Sequence, residues 1–355
     1  MRTVGVEEEL LLVDPETGAP VAVAGSVLAG SDGLEHELQQ QQIEIGTAPC
    51  DSLTELAEQL RHWRSEAASA AARAGALIVA TGTSPVPVVP ELTVKPRYRA
   101  MVERLGLTTA EQLTCGCHVH VDVDSAVEGV AVLDRIRAWL PVILALTVNS
   151  PYWQGVDSGY ASFRSQAWTR LPTAGPTDVF GSAEGYQAQV ERLLLTGVPL
   201  DLGMIYFDAR LSHHLPTVEI RIADVCLFRD DALLVAALVR ALVETAARDW
   251  RAGGAAPVIE TSVLRLATWR AGRSGLEGDL LDPVHGTPLP ARQVLADLIE
   301  HVGEALADTD DAAAVADLLE TLLNRGTGAL HQRRWLQQNH NLGAMVLRMA
   351  ELTTS

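Results

Sequence analysis

Polar side chains that can bind cations recur at alternate positions in four short and otherwise apolar stretches of the sequence. Successive side chains of a β-strand point to opposite faces of a sheet, so each stretch predicts a strand with one apolar and one ionisable face. The polar positions that would share a face are Glu7 and Glu9, then His118, His120 and Asp122, then Tyr206, Asp208 and Arg210, and finally Glu219 and Arg221. Carboxylates, imidazoles and guanidinium groups collected on one surface indicate a cation site.

Electrostatic repulsion within such a surface strengthens this hypothesis. Two carboxylates about 5 Å apart repel by roughly 3 kcal/mol at an effective dielectric constant of about 20. The groups must therefore take up protons or be held together by divalent cations. Carboxylate oxygens suit Mg²⁺, with Mn²⁺ as the alternative, and these ions commonly link protein carboxylates to substrate phosphates. We predict a site for a metal–polyphosphate complex.

The composition argues against several other classes of function. The chain has 355 residues, 48% of them hydrophobic, and a formal net charge of −18. Nucleic acid and anionic membranes both require a basic surface, so we expect neither as a partner. Lys95 is the only lysine, and the sequence has no G-x-x-x-x-G-K-[ST] phosphate loop. Phosphate groups must therefore be bound through metals and arginine.

The cysteines and the N-terminus predict a cytoplasmic protein. Cys50, Cys115, Cys117 and Cys226 are too few and too scattered for a disulfide framework, and we interpret them as reduced, packed thiols. The chain enters its first predicted strand at once, which leaves no room for a signal peptide. Charged residues interrupt the most apolar helical stretches, so no bilayer span is expected.

Two more segments read as strands, which brings the expected number to six. Segment 35–46 carries Glu37 and Glu44 out of phase, so a bulge would be needed for both to face the site. Segment 76–83 reads as a buried strand. Only residues 212–216 separate the last two strands, a spacing that permits an antiparallel hairpin and excludes a parallel crossover.

Capping patterns and apolar periodicity predict the helices. Ser52-x-x-Glu55 resembles a capping box for a long helix, and Ser125-x-x-Glu128 opens an apolar helix that ends near Val148. From Asp230 onward the sequence is rich in Ala and Leu and reads as helical.

Strands that are segregated from helices in this way indicate an α+β fold. We expect a single domain over residues 1–355, with a sheet-bearing core at 1–228 and a helical C-terminal part at 229–355.

Five motifs, in their order and spacing, resemble the glutamate–cysteine ligase type 2 family of carboxylate–amine ligases. They are GVEEELLLVD, QQIEIGTAPC, GCHVHVDV, GYASFRSQAW and PTVEIRIADVC. The resemblance implies a fold similar to glutamine synthetase and the guanidino kinases. In that fold a six-stranded antiparallel sheet forms a concave site and helices cover its outer face. The resemblance also implies ATP and Mg²⁺ as cofactors, amino acids as small-molecule substrates and amide-bond formation as the reaction.

The family's functional residues can be carried over by position. The implied metal ligands are Glu7, Glu9, Glu37, Glu44, His118 and Glu219. Arg221 matches the arginine that contacts the transferred phosphoryl group and, with Glu44, is the predicted catalytic residue. The predicted ATP contacts are His118, Arg210 and Arg221, and the predicted substrate contacts are His120, Arg164 and Tyr206.

These residues predict a ligase that activates a carboxylate with the γ-phosphoryl group of ATP and transfers the acyl group to an amine. The implied substrates are glutamate and cysteine, and the alternative keeps this chemistry with another acid or amine. His118-x-His120 is also typical of metal-dependent amidohydrolases, which are parallel barrels. A non-catalytic ATP-binding protein is the third possibility. Residues 331–335 lie on a predicted terminal helix that could form a contact between copies, so a homo-oligomer stays open.

Overall fold

A seven-stranded antiparallel sheet is the centre of the computed structural model, which describes residues 2–355. The strand order is β2-β3-β1-β5-β9-β8, and β4 pairs with the far end of β1. Two further hairpins, β6–β7 and β10–β11, lie outside this sheet. The strands are β1 (Val4–Val13), β2 (Leu34–His36), β3 (Gln42–Gly46), β4 (Leu77–Val79), β5 (Gly116–Asp122), β6 (Tyr152–Trp153), β7 (Val156–Asp157), β8 (Ala209–Leu211), β9 (Thr217–Asp224), β10 (Asp279–Leu281) and β11 (Pro288–Pro290).

Fourteen α-helices accompany these strands in the described part of the chain. They are α1 (Ala24–Leu28), α2 (Leu53–Arg73), α3 (Pro96–Leu105), α4 (Leu107–Ala110), α5 (Ala126–Ile136), α6 (Leu140–Thr147), α7 (Phe163–Trp168), α8 (Ala183–Leu195), α9 (Arg229–Arg251), α10 (Thr261–Ser274), α11 (Ala291–Asp308), α12 (Ala312–Arg325), α13 (Gly328–Asn339) and α14 (Leu342–Thr353). Short 3₁₀ turns lie at Leu202–Met204 and Gly275–Glu277.

Helices cover one face of the sheet and leave the other open to the cavity described below. The long helices α2 and α9 pack together and contact β1, α9 also contacts β5, and α6 packs on β9. Both capping predictions hold at the N-cap, because Ser52 accepts from the backbone N–H of Glu55 and Ser125 from that of Glu128. The apolar side chains of the strands therefore form the core with these helices, and the alternate side chains face away from it.

A buried ion pair joins the helical layer to the sheet. Glu8 points to the apolar side of β1 and is fully buried, as is the guanidinium of Arg64 on α2. Arg64 donates from Nε and Nη2 to both Glu8 carboxylate oxygens, at 2.8 and 2.6 Å. The alternation of side chains along β1 therefore places Glu7 and Glu9 on the face with the cavity and Glu8 in the core.

The predicted strand at 35–46 is wrong in one respect, since it consists of two antiparallel strands. β2 and β3 pair with Glu35 opposite Glu44, and the chain reverses between them. The predicted bulge is therefore replaced by a turn, which carries Glu37 into the cavity by a different route. This division raises the number of strands from the expected six to seven.

Two other predicted elements are shorter than expected. The apolar helix after Ser125 ends at Ile136 and a second helix starts at Leu140, where Pro141 in the first turn needs no N–H partner. The predicted strand at 204–211 is regular only over β8, preceded by the 3₁₀ turn.

The α+β class, the antiparallel sheet and the helical C-terminal part are confirmed. All four cysteines are buried free thiols, as predicted. Across residues 2–355, none of the helices combines the length and apolar character that a bilayer span requires.

Candidate active site

The register of the sheet aligns the predicted functional residues in a row across neighbouring strands. Glu9 on β1 lies opposite Glu44 on β3, and Glu7 lies opposite His118 on β5. His120 on β5 lies opposite Glu219 on β9, and Glu219 in turn lies opposite Arg210 on β8. Directly opposite side chains are about 5 Å apart at Cβ, so this pairing concentrates the groups in one place.

Glu7 lies at the centre of the row and contacts both histidines. Its Oε2 lies 3.4 Å from His118 Nδ1, and its Oε1 lies 3.2 Å from His120 Nε2. The other nitrogen of His120, Nδ1, is held at 3.0 Å by the hydroxyl of Thr217. The contact with Thr217 fixes the orientation of the imidazole ring, so that Nε2 of His120 points towards the carboxylates.

Glu9, Glu37 and Glu44 extend the acidic surface towards β2 and β3. Glu9 accepts at 2.6 Å from the backbone N–H of Gly116, which fixes one oxygen and leaves Oε1 3.9 Å from His118 Nε2. Glu37 lies in the turn after β2, where its carboxylate accepts from the N–H of Leu38 at 2.6 Å. All three carboxylates line the same cavity as Glu7.

Two arginines hold the last carboxylate of the row. Arg210 donates from Nε and Nη2 to Glu219 at 2.7 and 3.2 Å, and Arg221 donates from Nη1 to the same carboxylate. The register between β5 and β9 shifts between Cys117 and Val119, so that Arg221 and Ile222 of β9 lie opposite the single residue His118, as in a β-bulge. Bulges re-aim side chains next to functional sites. Arg221 lines the cavity while its guanidinium lies 5.9 Å from the ring of Trp168.

The environment divides the carboxylates into two electrostatic groups. Burial alone would raise the pKa of Glu7, but hydrogen bonds from His118 and His120 outweigh it and lower that pKa. The pKa of Glu219 is lowered as well, because the charges of Arg221 and Arg210 outweigh its burial. Burial and the neighbouring Glu9 raise the pKa of Glu37 to about 7, while burial and Glu37 raise the pKa of Glu44.

Two overlapping sets of side chains have the geometry of a metal site. Glu7, Glu44 and His118 form one set, and Glu7, His120 and Glu219 form the other. Within each set, one ligand atom per residue lies within 4.8 Å of the others. The Nε2 atom of His118 is buried and has no hydrogen-bond partner within the described residues, while Nε2 of His120 lies 3.2 Å from Glu7 Oε1. Carboxylate and imidazole ligands, one of them with an unsatisfied buried nitrogen, fit divalent cations.

The cavity above this row has a volume of about 900 Å³ and an apolar side. Tyr98, Met101, Trp168, Leu171 and Tyr206 line that side. The rings of Trp168 and Tyr206 pack edge to face with centroids 5.2 Å apart. A cavity of this size can contain a nucleotide and an amino acid together.

One predicted substrate contact does not line the cavity. Arg164 on α7 is 1% exposed and donates to the backbone oxygens of Ile222 and Arg221, each at 3.2 Å. Its Nη1 lies 3.9 Å from the buried carboxylate of Asp224. In this structure Arg164 therefore stabilises β9 through hydrogen bonds to its backbone. A Cβ added at Gly116 would meet Arg164 Nη2 at 2.4 Å, so glycine permits this approach.

The other predicted residues are brought together, apart from two strand positions. Glu7, Glu9, Glu37, Glu44, His118, His120, Tyr206, Arg210, Glu219 and Arg221 all line the cavity. Asp122 and Asp208, which were predicted to share these faces, line other cavities. The irregular backbone at 202–207 breaks the alternation on which the prediction for Asp208 depended.

Sequence reasoning missed several residues of the cavity wall, including Arg97, Tyr98, Gln112 and Asp201. Arg97 and Asp201 are 104 positions apart, and neither lies in one of the recognised motifs. The only local signal was a short helix that carries Arg97 and Tyr98 on its first turn.

Comparison with known proteins identifies the family. Residues 3–350 match the model of the glutamate–cysteine ligase family 2. A Streptomyces avermitilis protein named "Putative glutamate--cysteine ligase 2-1" is 53% identical over 349 residues, which cover 96% of each chain. A Streptomyces coelicolor protein named "Putative glutamate--cysteine ligase 2" is 51% identical over 353 residues, covering 98% of this chain and 97% of the relative.

Solved structures share the fold at low sequence identity. A glutamate–cysteine ligase from Francisella tularensis in complex with AMP has a TM-score of 0.71 at 15% identity, covering 100% of this chain and 89% of that one. A bifunctional glutathione synthetase from Pasteurella multocida has a TM-score of 0.69 at 17% identity, covering 99% and 52%. The family model and the sequence relatives show that the chain belongs to the glutamate–cysteine ligase family 2.

Proposed function

We propose that the protein is an ATP-dependent carboxylate–amine ligase that joins the γ-carboxylate of glutamate to the amine of cysteine through an acyl phosphate. The observation that carries the proposal is the pair of ligand sets that share Glu7 on the floor of the cavity. The arginine pair around Glu219 lies beside them. The names of the sequence relatives support glutamate and cysteine as the substrates.

The two sets supply Glu7, Glu44, His118, His120 and Glu219 as metal ligands in this proposal. Glu9 and Glu37 line the same cavity and are the remaining proposed ligands. Bound Mg²⁺ would neutralise these carboxylates and offset the negative charge of the phosphates. Thr217 would keep the His120 ring fixed, and the Gly116 N–H would keep one oxygen of Glu9 out of the set.

Arg210 would bind the triphosphate of ATP, and Arg221 would contact the phosphoryl group of ATP that is transferred. Arg221 is 9% exposed, and its charge is maintained because Glu219 outweighs the effect of burial and raises its pKa. A fixed guanidinium in a dry site stabilises charge on a phosphoryl group in transit. Tyr206 and Trp168 would shield this side of the cavity from water, which limits hydrolysis of the acyl phosphate.

The chemistry balances without an external oxidant or reductant. An oxygen of the substrate carboxylate attacks the terminal phosphorus of ATP, and ADP leaves. The amine nitrogen then attacks the acyl carbon, phosphate leaves, and the nitrogen loses one proton. Glu44 lines the same cavity and can accept that proton through an oxygen that holds no Mg²⁺.

An assay of ADP release tests the proposal. We expect release that requires glutamate, an amine and Mg²⁺, and hydroxylamine should trap the acyl phosphate as a hydroxamate. Arg221→Ala should lower kcat by about 10²–10³-fold with ATP affinity largely retained, because the guanidinium acts on charge that moves in the transition state. Arg348→Ala is the control, since Arg348 forms only an exposed pair with Glu351.

Three other outcomes would contradict the proposal. ATP binding without turnover across a broad panel of acids and amines would indicate a non-catalytic nucleotide-binding protein. Release of ADP with another acid only would keep the chemistry and exclude glutamate. Amide hydrolysis without ATP would indicate an amidohydrolase, although every pairing in the described sheet is antiparallel, unlike a parallel barrel.

A further inference from the structure

A second cavity, of about 450 Å³, lies away from the row of carboxylates. It is bounded by the chain before β1, the end of β5 and the helices α9 and α11. Within residues 2–355 it has no lining residue in common with the cavity of the candidate active site. Its lining includes four arginines, which are Arg2, Arg240, Arg248 and Arg251. The proposed ligase function uses none of them.

Helical periodicity brings three of these arginines to one side of α9. Arg240, Glu244 and Arg248 follow one another at intervals of four residues, and Arg251 comes three residues later. Side chains three and four residues apart are neighbours on a helix surface, so these groups form one charged stripe. Arg2 completes the group from the side of β1.

Small side chains leave the space between these charged groups. Ala237 and Ala241 on α9 and Ala305 on α11 are buried and line the cavity where the two helices pack together. A longer side chain at any of these positions would occupy part of the volume. The cavity is within the size range of small-molecule sites.

Two of the arginines are fixed at the inner end of the cavity. Arg2 is 7% exposed and Arg240 is 2% exposed. Arg2 donates from Nε to Glu244 at 2.8 Å and from Nη1 to the backbone oxygen of Asp122 at 2.7 Å. Arg240 donates to the carboxylate of Asp311. Both guanidinium groups are thus oriented before any ligand binds, which reduces the entropy cost of binding.

The other two arginines lie at the mouth of the cavity, where they are partly exposed. Arg248 donates from Nε to Glu244 at 2.7 Å, and its Nη1 lies 2.7 Å from Asp308. Arg251 donates from Nη2 to Glu128 at 2.6 Å. Because ion pairs of exposed arginines contribute little, these side chains can turn towards a ligand at small cost.

Donors without acceptors favour an anionic ligand. No hydrogen bond from Nη2 of Arg2 or from Nη2 of Arg248 lies within the part of the chain that the structure describes. The inner carboxylate, Glu244, already accepts from both of these arginines. Asp124 and Asp308 are mostly exposed, so water screens their charge. The region around Arg2 and Glu244 therefore offers N–H groups to an anion.

We propose that this cavity binds a small molecule through a phosphate monoester group. The planar guanidinium matches the geometry of phosphate oxygens, and a phosphate dianion can accept from two arginines at once. The volume is sufficient for the phosphate and a short carbon skeleton. The site is independent of the ligase proposal, because it includes no residue of the acidic row.

Calorimetric titration with glycerol 3-phosphate tests this proposal. EDTA is present and Mg²⁺ is absent, so the carboxylates of the active site repel the anion. We expect saturable binding that weakens as the KCl concentration rises, and no binding of glycerol. Arg248→Gln should weaken binding about 10-fold, because a charged donor is lost. Ala305→Leu should weaken it at least as much, since leucine occupies the floor and leaves every arginine in place.

Two further variants identify the site. Arg292→Gln makes the same change at an exposed position of α11 and is the matched control, so binding should be unchanged. Arg221→Ala should also bind normally, since Arg221 lines the other cavity. Thermal unfolding establishes that each variant is folded. If Ala305→Leu does not fold, the comparison of Arg248→Gln with Arg292→Gln decides.

Several results would overturn the proposal. Loss of binding in Arg221→Ala would assign the anion to the active-site cavity. Equal weakening by Arg248→Gln and Arg292→Gln would mean that only the net charge matters. Wild-type protein that shows no saturable binding, or a folded Ala305→Leu variant that binds normally, would exclude this cavity. Binding of citrate in place of glycerol 3-phosphate would exclude a phosphate site.

Discussion

Asp208 is a buried carboxyl group whose protonation is changed by folding. Its side chain is 6% exposed, and burial raises its pKa to about 7 against the weaker influence of Arg164 and Arg265. The folded protein therefore binds this proton more tightly than the unfolded chain does. Stability from this group is greatest at low pH and is lost as the pH rises from about 4 to about 7.

Replacement of Asp208 by Asn should stabilise the protein above pH 7. The amide cannot ionise, so the cost of a buried charge disappears, and we expect a gain of about 2 kcal/mol in the free energy of unfolding at pH 8. The gain should shrink towards pH 5, where the folded wild type already holds the proton. Urea unfolding at both pH values measures this, with the exposed change Asp317→Asn as control. An equal effect at both pH values would mean that packing is responsible.

For single residues, the sequence predicted which side chains face the site. It did not predict which of these side chains contact one another. Alternation within each strand was sufficient for Glu7, His118, His120 and Glu219. Their contacts depend on the register between β1, β5 and β9, whose residues are about a hundred positions apart, and local patterns contain no such information. The sequence could not show whether Arg164 lines the cavity for a related reason, because the orientation of a short helix depends on the residues that pack against it.

At the scale of elements, Arg64 links α2 to three other parts of the chain. Besides Glu8 on β1, it donates to the backbone oxygens of Cys226 and Leu227, which follow β9, and of Thr353 at the end of α14. Glu8 lies on the apolar face of β1, and its buried carboxylate is paired with this guanidinium. A single buried guanidinium therefore satisfies four acceptor groups on three separate segments.

Removal of one partner from this pair should be strongly destabilising. Arg64→Met leaves the Glu8 carboxylate and three carbonyl groups without their donor, so we expect a loss of about 3–5 kcal/mol in the free energy of unfolding. The double variant Glu8→Leu, Arg64→Met should recover part of that loss, because no buried charge remains. Arg61→Met, at an exposed position of the same helix, is the control. A double variant as unstable as Arg64→Met alone would show that the carboxylate was not the cause.

The type of each long element was predictable, but its limits often were not. The chain reverses within the mostly polar segment 37–41 between β2 and β3, yet the apolar pattern on both sides predicted one strand. Pro141 divides a helical stretch whose hydrophobicity is continuous. In both cases the local backbone conformation interrupts an element that the apolar periodicity of the sequence predicts to be continuous.

At the scale of the whole molecule, the cavity concentrates negative charge in a protein whose net charge is already −18. Glu7, Glu9, Glu37 and Glu44 approach one another only when the sheet has formed. Divalent cations should therefore bind the folded chain in preference to the unfolded one, and binding of this kind shifts the folding equilibrium.

We expect Mg²⁺ to raise the thermal unfolding temperature by a few degrees. At a concentration about 100 times Kd, the stabilisation is about 2.7 kcal/mol. Differential scanning calorimetry should show this shift in MgCl₂ but not in KCl of equal ionic strength. Glu7→Gln should abolish it, because Glu7 belongs to both ligand sets, whereas the exposed change Glu16→Gln should not. An identical shift in KCl would indicate general screening of charge.

The position of β1 has a consequence for synthesis on the ribosome. This strand emerges before the other strands of its sheet, yet it is hydrogen-bonded to β3, β4 and β5, and the row of site residues also needs β9. Translation adds about 5–20 residues per second, so the nascent strand must wait for tens of seconds at the slower rate before residue 224 exists. During that time its alternating apolar face has no complete sheet to join. Of the strands in this sheet, β1 would therefore depend most on chaperones that shield hydrophobic segments of nascent chains.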